Sequence, residues 1–150
     1  NFAKDICISL SKKIKKKYKK IDLILAPAMG GVIIGYEIGK LLKKETIFCE
    51  RVNGKFTLRR GFHIKKGSKV LIIEDVITTG KSSIECSKLA YDSNANVVGY
   101  ACIIDRSNGK SIIDQKIVSQ VKINIPTYKK DNLPENLVSI KAVKPGSRGL

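Results

Sequence analysis

Val70-Leu-Ile-Ile-Glu-Asp-Val-Ile-Thr-Thr-Gly-Lys-Ser-Ser83 joins a wholly apolar run to an acidic pair and a hydroxyl-rich turn. Its first four residues are all apolar and show no polar face, so they read as the centre of a strand, Ser68–Glu74, buried on both sides. The run breaks at the Thr-Thr-Gly turn, and a helix of about a dozen residues is expected to start near Gly80. Upstream, Asp22-Leu-Ile-Leu-Ala26 is a second buried strand closed by Pro27, and Gly30-Gly31 opens an apolar helix over Val32–Leu42. Thr46–Arg51 reads as a strand, and Asn53-Gly54 as a hairpin turn into Lys55–Arg59, with a further extended segment over Phe62–Ile64. Downstream, Asn96–Ile104 and Ile117–Ile123 are further strands, the last broken by Ile125-Pro126-Thr127-Tyr128. At the other end Phe2, Ile6, Leu10, Ile14 and Tyr18 recur in steps of four, an amphipathic helix. The lysines at 15–17 and 19–20 suit the negative end of its dipole. Strands alternating with helices predict an α/β fold: an open, mainly parallel twisted sheet with helices on both faces, plus a flexible β-hairpin loop, in one domain over residues 1–150.

Composition narrows the functional classes. Apolar residues make up 43% and aromatics 6% of the chain, which favours an aliphatic α/β core over an aromatic-rich sandwich. The net charge of +16 raises the question of a polyanionic partner. Lysines outnumber arginines, lie scattered, and are not interleaved with aromatics as a base-stacking surface requires, so nucleic acid is not the expected partner. Cys7, Cys49, Cys86 and Cys102 form no C-x-x-C pair and sit in apolar or helical runs, so buried free thiols and a reducing, cytoplasmic compartment are expected. No apolar run is long enough to span a bilayer, and no signal peptide is visible from Asn1 onward.

The chemistry is concentrated after the Val70–Ile73 strand. Ligands of open α/β sheets bind at the carboxyl edge of the strands. Here that edge carries Glu74 and Asp75, followed by Thr78, Thr79 and Gly80 at a helix start. A helix N-terminus with hydroxyl donors and a glycine suits a phosphate. Two carboxylates would repel a bare phosphate, so they call for hydroxyls or a cation to hold; a ribose diol with Mg²⁺ nearby meets both demands. Gly80-Lys81-Ser82 matches the second half of a nucleotide-binding P-loop, but the glycine required in the first half is Asp75.

Four apolar residues, two acids, two variable positions, two hydroxylic residues and Gly resemble the phosphoribosyl pyrophosphate (PRPP) motif of type I phosphoribosyltransferases. The resemblance implies a Rossmann-like core, with Glu74 and Asp75 on the ribose hydroxyls. It implies that Val76, Ile77, Thr78, Thr79, Gly80, Lys81 and Ser82 complete the PRPP site, the segment from Thr78 to Ser82 wrapping the 5′-phosphate. Three further segments resemble the orotate phosphoribosyltransferases within that family. Ala26-Pro-Ala-Met-Gly-Gly-Val32 is similar to their pyrophosphate loop, which implies that Ala28, Met29, Gly30 and Gly31 present backbone N–H groups to the leaving group. Glu50-Arg-Val-Asn-Gly-Lys-Phe-Thr-Leu-Arg-Arg-Gly-Phe62 is similar to their catalytic loop, with Arg51, Lys55, Arg59 and Arg60 as candidate cations for departing pyrophosphate. Ile103-Ile-Asp-Arg-Ser107 places Arg106 where the family pairs an arginine with the carboxylate of orotate, and Thr78 would touch the base as well. A planar guanidinium forks onto a carboxylate through two hydrogen bonds; the plain alternative is pairing of Arg106 with Asp105. His63 lies past the arginine pair and reads as a surface residue. The closing Val143-Lys-Pro-Gly-Ser-Arg148 is also similar to the family's C-terminal end.

Asp75, Arg51 and Lys55 are therefore the expected catalytic residues, Mg²⁺ the cofactor held mainly through PRPP with no direct protein ligand, and a homodimer with shared active sites the expected assembly. The family usually carries an N-terminal hood over the base, which this chain lacks; either that segment is removed or disordered, or the base pocket is built differently. Transfer to a purine base, and a PRPP-sensing nucleic-acid-binding regulator on the same fold, are the alternatives.

Overall fold

The computed structural model describes residues 2–126, 128–129, 131–141 and 143. The chain runs α1 (Phe2–Lys17), β1 (Leu23–Pro27), α2 (Gly30–Leu42), β2 (Glu45–Val52), β3 (Lys55–Leu58), β4 (Lys69–Ile77), α3 (Lys81–Asp92), β5 (Asn96–Asp105), β6 (Val118–Lys122) and α4 (Glu135–Val138). The six strands form one sheet in the order β3-β2-β1-β4-β5-β6, parallel except for β3, which pairs antiparallel to β2 through the expected hairpin. Among the described residues, no helix is long and apolar enough to cross a membrane.

Side chains alternate across a strand, so each central strand feeds two cores. Leu25, Val70 and Ile72 pack with Cys86 and Ala90 of α3 on one face. Ile24, Leu71 and Ile73 pack with Leu10 and Ile14 of α1 and Ile38 of α2 on the other. Each fully buried Leu or Ile contributes roughly 1.5–3 kcal/mol, and the four residues Val70–Ile73 are all completely buried. That explains why this strand anchors the sheet.

Several local expectations shift. The buried stripe of α1 is Cys7, Leu10 and Ile14 rather than strict steps of four, and Phe2 is 81% exposed in the first turn. α2 starts at Gly30, two residues early. Phe62–Ile64 forms no strand: Phe62 packs edge-on against Phe48, with ring centroids 5.1 Å apart, and Ile64 is buried in the connection. β3 ends at Leu58, and Arg59 and Arg60 turn back to pair with Glu50 at 3.6 and 3.5 Å. Thr127 and, apart from Val143, the closing 143–148 segment lie outside the described residues.

The shift with most consequence is in β4. It extends to Ile77, so the acidic pair lies within the strand instead of closing it. Its ladder with β1 stops at Leu25↔Ile72, whereas its ladder with β5 continues to Ile77↔Asp105. Glu74 and Asp75 thus stand beyond the end of the β1–β4 ladder, opening a gap above β1.

Candidate active site

Alternation sends the two carboxylates to opposite faces of the sheet. Glu74 continues the Val70–Ile72 side towards α3, is 9% exposed, and accepts a 2.6 Å hydrogen bond from the Ser83 hydroxyl. Asp75 continues the Leu71–Ile73 side towards α2; its Oδ1 accepts from the Val76 amide at 2.8 Å. The α2 N-terminus comes so close that a Cβ on Gly30 would lie 2.2 Å from Asp75 Oδ2. Gly31 is also tight, its added Cβ falling 2.9 Å from the Ile73 carbonyl oxygen. The Gly-Gly step is thus what lets the 28–31 loop sit against the strand.

At the other turn Gly80 caps α3 with φ of 81°, a left-handed conformation that glycine adopts without strain. A side chain there would also meet Ser111 Oγ at 2.5 Å. The Thr79 hydroxyl accepts from the Lys81 amide at 3.3 Å, and Thr78 and Thr79 are exposed at the mouth.

Three adjoining clefts surround these turns. The first, about 480 Å³, is lined by the whole segment from Val76 to Ser83 together with Glu74, Arg51 and Glu85. The second, about 580 Å³, lies between the loop from Pro27 to Gly31 and the acidic pair, with Arg51 and Ser82 again on its wall. The third, about 490 Å³, opens on the far side of Thr78 and Thr79 and is walled by Arg106, Lys110, Asn124 and Pro126. The first two clefts share Arg51, Glu74 and Ser82; the first and third share Thr78 and Thr79. Among the described residues, no cluster of three or more His, Cys, Asp or Glu side chains forms a metal cage.

Of the candidate residues, those from Glu74 to Ser82, the loop residues Ala28 to Gly31, Arg51 and Arg106 are all brought to these clefts. Lys55 is not: it is exposed opposite Val52 at the hairpin turn and lines none of the three. Exposed His63 lines none of them either, its Nδ1 lying 3.3 Å from the Gly61 carbonyl oxygen.

Asp105 does not take Arg106 as its partner. Its Oδ1 accepts from the Ser107 hydroxyl at 2.6 Å and the Ser107 amide at 2.9 Å, and its Oδ2 lies 3.6 Å from the Lys122 ammonium. Burial pushes the Asp105 carboxyl up, but the Ser107 hydrogen bonds and Lys122 outweigh it and leave the group below its ordinary value. Arg106 is exposed on the wall of the third cleft, its amide fixed on the Ile77 carbonyl at 2.8 Å.

Sequence reasoning missed Glu85, which pairs with Arg51 at 2.5 Å across the hairpin–α3 seam. It also missed the hydrogen bond between the buried Cys49 and Cys86 thiols, 3.4 Å apart. Neither has a sequence signal, because β2 and α3 are brought together only by the crossover. The four cysteines are free and buried.

The sheet order, the overhanging acidic strand and the glycine-capped turn before α3 are those of a phosphoribosyltransferase domain, and the family model for the phosphoribosyl transferase domain matches residues 2–136. The orotate phosphoribosyltransferase of Parvibaculum lavamentivorans is 45% identical over 144 residues, 95% of this chain and 74% of the relative. That of Methylorubrum extorquens is 46% identical over 146 residues, 97% of this chain and 74% of the relative. The chain belongs to the orotate phosphoribosyltransferase family. Among solved structures, adenine phosphoribosyltransferase from Thermoanaerobacter pseudethanolicus superposes with a TM-score of 0.65 at 18% identity, covering 77% of this chain and 78% of that one. Leishmania donovani UMP synthase gives 0.64 at 20% identity, over 80% of this chain and 27% of that one. At such identities the likeness is one of fold.

Proposed function

We propose that this chain transfers the 5-phosphoribosyl group from PRPP to orotate, giving orotidine 5′-monophosphate and pyrophosphate. The observation that carries the reading is the sharing of walls: one ligand with a terminal phosphate, a sugar diol and a diphosphate fits a phosphate turn and a Gly-Gly loop joined through an acidic pair. A base then fits the cleft across Thr78 and Thr79, facing Arg106.

In this mechanism the turn from Thr78 to Ser82 offers hydroxyls and helix-terminal amides to the 5′-phosphate. Glu74, braced by Ser83, and Asp75, braced by the Val76 amide, accept from the ribose hydroxyls. Arg51 and the amides of residues 28–31 stabilise charge on the pyrophosphate as the C1–O bond breaks and its electron pair leaves. Orotate N1 closes on C1 from the opposite side and loses its proton as the new bond forms, while Arg106 forks onto the orotate carboxylate and fixes the ring. Hairpin closure excludes water from the cationic sugar.

Mg²⁺ suits the donor set. It keeps several waters and would be held mainly through substrate phosphate oxygens, with Glu74 and Asp75 on the wall of the cleft beside the Gly-Gly loop and not as its direct ligands. When bound with the diphosphate it would neutralise charge on the leaving group.

A homodimer is supported by an apolar stripe on α2 next to the same loop, where Met29, Ile33 and Tyr36 are 85, 73 and 60% exposed. A cytoplasmic setting is supported by four free thiols. Pyrophosphate release from PRPP and Mg²⁺ is the direct test: rapid release with orotate and none with hypoxanthine is expected. The reverse preference would overturn the choice of base. Light scattering at micromolar concentration checks the dimer.

A further inference from the structure

Glu85 stands where an anion site should not want it. It lines the phosphate cleft, and a carboxylate there opposes the binding of an anionic ligand. Its partners resolve the conflict. The Arg51 guanidinium meets it at 2.5 Å, and the Lys81 ammonium, one helical turn away, lies at 3.9 Å. Among the described residues Arg51 has two other fixings: Nη1 donates to the Gly54 carbonyl at 2.7 Å, and the guanidinium sits 4.1 Å over the Phe56 ring. Gly54 and Phe56 both belong to the hairpin that carries Arg51, so they travel with it. Glu85 is the only one of these three fixings that comes from α3, the helix whose N-terminus builds the phosphate turn.

The Cys49 and Cys86 thiols also meet, at 3.4 Å. That contact is a thiol–thiol hydrogen bond between β2 and α3 and involves no guanidinium. Arg51 also borders both the phosphate cleft and the diphosphate cleft, so its rotation decides which anion it meets. The fold itself has little need of the pair: both side chains are about one-third exposed, and ion pairs of that kind add little to stability.

We infer that Glu85 is a positioning residue of the reaction proposed above, holding Arg51 at the wall common to the two clefts. It acts through Arg51 and not on the substrate. The inference rests on the proposed transferase function for its kinetic arm only.

The test is a double-mutant cycle of Glu85→Gln and Arg51→Ala, read by steady-state pyrophosphate release. Glu85→Gln is expected to lower kcat by roughly 10–100-fold, the scale of a misplaced catalytic group. KM for PRPP should stay level or fall, because a negative charge has left an anion cleft. In the Arg51→Ala background the same change should cost nothing more. Equal losses in both backgrounds, or a rise in kcat, would overturn the inference. A second arm needs no turnover: the Arg51 Nη2–H resonance, held distinct by the contact with Glu85, is expected to lose that separation in Glu85→Gln, while the Phe56 and Gly54 contacts stay with the hairpin. Should it stay, Glu85 does not position Arg51. A wild-type chain that released no pyrophosphate with orotate would remove the proposed function and leave the resonance arm to decide on Glu85.

Discussion

Gly30→Ala tests the site through a single methyl group. The added Cβ would fall 2.2 Å from Asp75 Oδ2, 2.6 Å from its Cγ and 2.8 Å from its Oδ1, whereas ordinary contact begins at 3.4 Å. The carboxylate must therefore retreat by about 1 Å, or the 28–31 loop must lift by the same amount. Gly30 needs no left-handed backbone, so the clash is the only cost, and the short, partly exposed Asp75 side chain can absorb it. Overpacking costs about 1–3 kcal/mol in a rigid core; here the lower end is expected, a Tm fall of roughly 2–4 °C. The catalytic cost is larger, because a misplacement of about 1 Å can lower turnover about 100-fold. Gly31→Ala makes the contrast, since its Cβ meets the Ile73 backbone oxygen and Pro27, neither of which can swing aside. That variant should lose more stability. Pyrophosphate-release kinetics and differential scanning calorimetry on both variants provide the measurement. A Gly30→Ala protein with wild-type kcat/KM would refute the placement of Asp75 at the reacting sugar.

Asp75→Asn should lower turnover by orders of magnitude while leaving Tm near wild type, as measured by the same two assays. Arg106→Met should raise KM for orotate with little change in Mg-PRPP affinity by titration calorimetry, since Arg106 walls the third cleft and neither of the other two. The Asp105 carboxyl is depressed in the folded chain. Its contribution is thus present above the ordinary carboxylate value and is lost as pH falls through the lower folded value. Ser107→Ala should accordingly cost about 1.5–3 kcal/mol near neutral pH, and the difference from wild type should shrink in urea melts below about pH 4. Burial pushes the Cys102 thiol up to about 12 and raises those of Cys86 and Cys7. An aromatic disulfide reagent at pH 8 should therefore titrate four thiols only after denaturation, and prompt native reaction would contradict the packing.

What was legible in the sequence followed periodicity and local chemistry. Val70–Ile73 announced a strand buried on both faces because no residue in it tolerates water, and the same held for Leu23–Ala26. The acidic pair, the Thr-Thr-Gly turn and the Gly-Gly loop were legible because each needs a particular residue type at its own position. Features set by tertiary meeting were not. Nothing near Glu85 in the chain marks it as the partner of Arg51, which is 34 positions away. Lys55 looked equivalent to Arg51 as a loop cation; hairpin register separates them, putting Arg51 opposite Phe56 over the clefts and Lys55 at the exposed tip. Phe62–Ile64 has strand-like composition but pairs with no strand although the outer edge of β3 is open; Phe62 packs on Phe48 and Ile64 is buried instead.

The parity of β4 has an evolutionary corollary. Glu74 meets Ser83 and Asp75 meets the Gly-Gly loop only because consecutive side chains leave a strand on opposite sides. Deleting or inserting one residue between Ile72, where pairing with β1 ends, and the pair would exchange their destinations, setting a long acid against the loop and a short one against the helix. The hydrophobic segment should consequently drift freely among Val, Ile and Leu in descendants of this chain, while its length stays frozen.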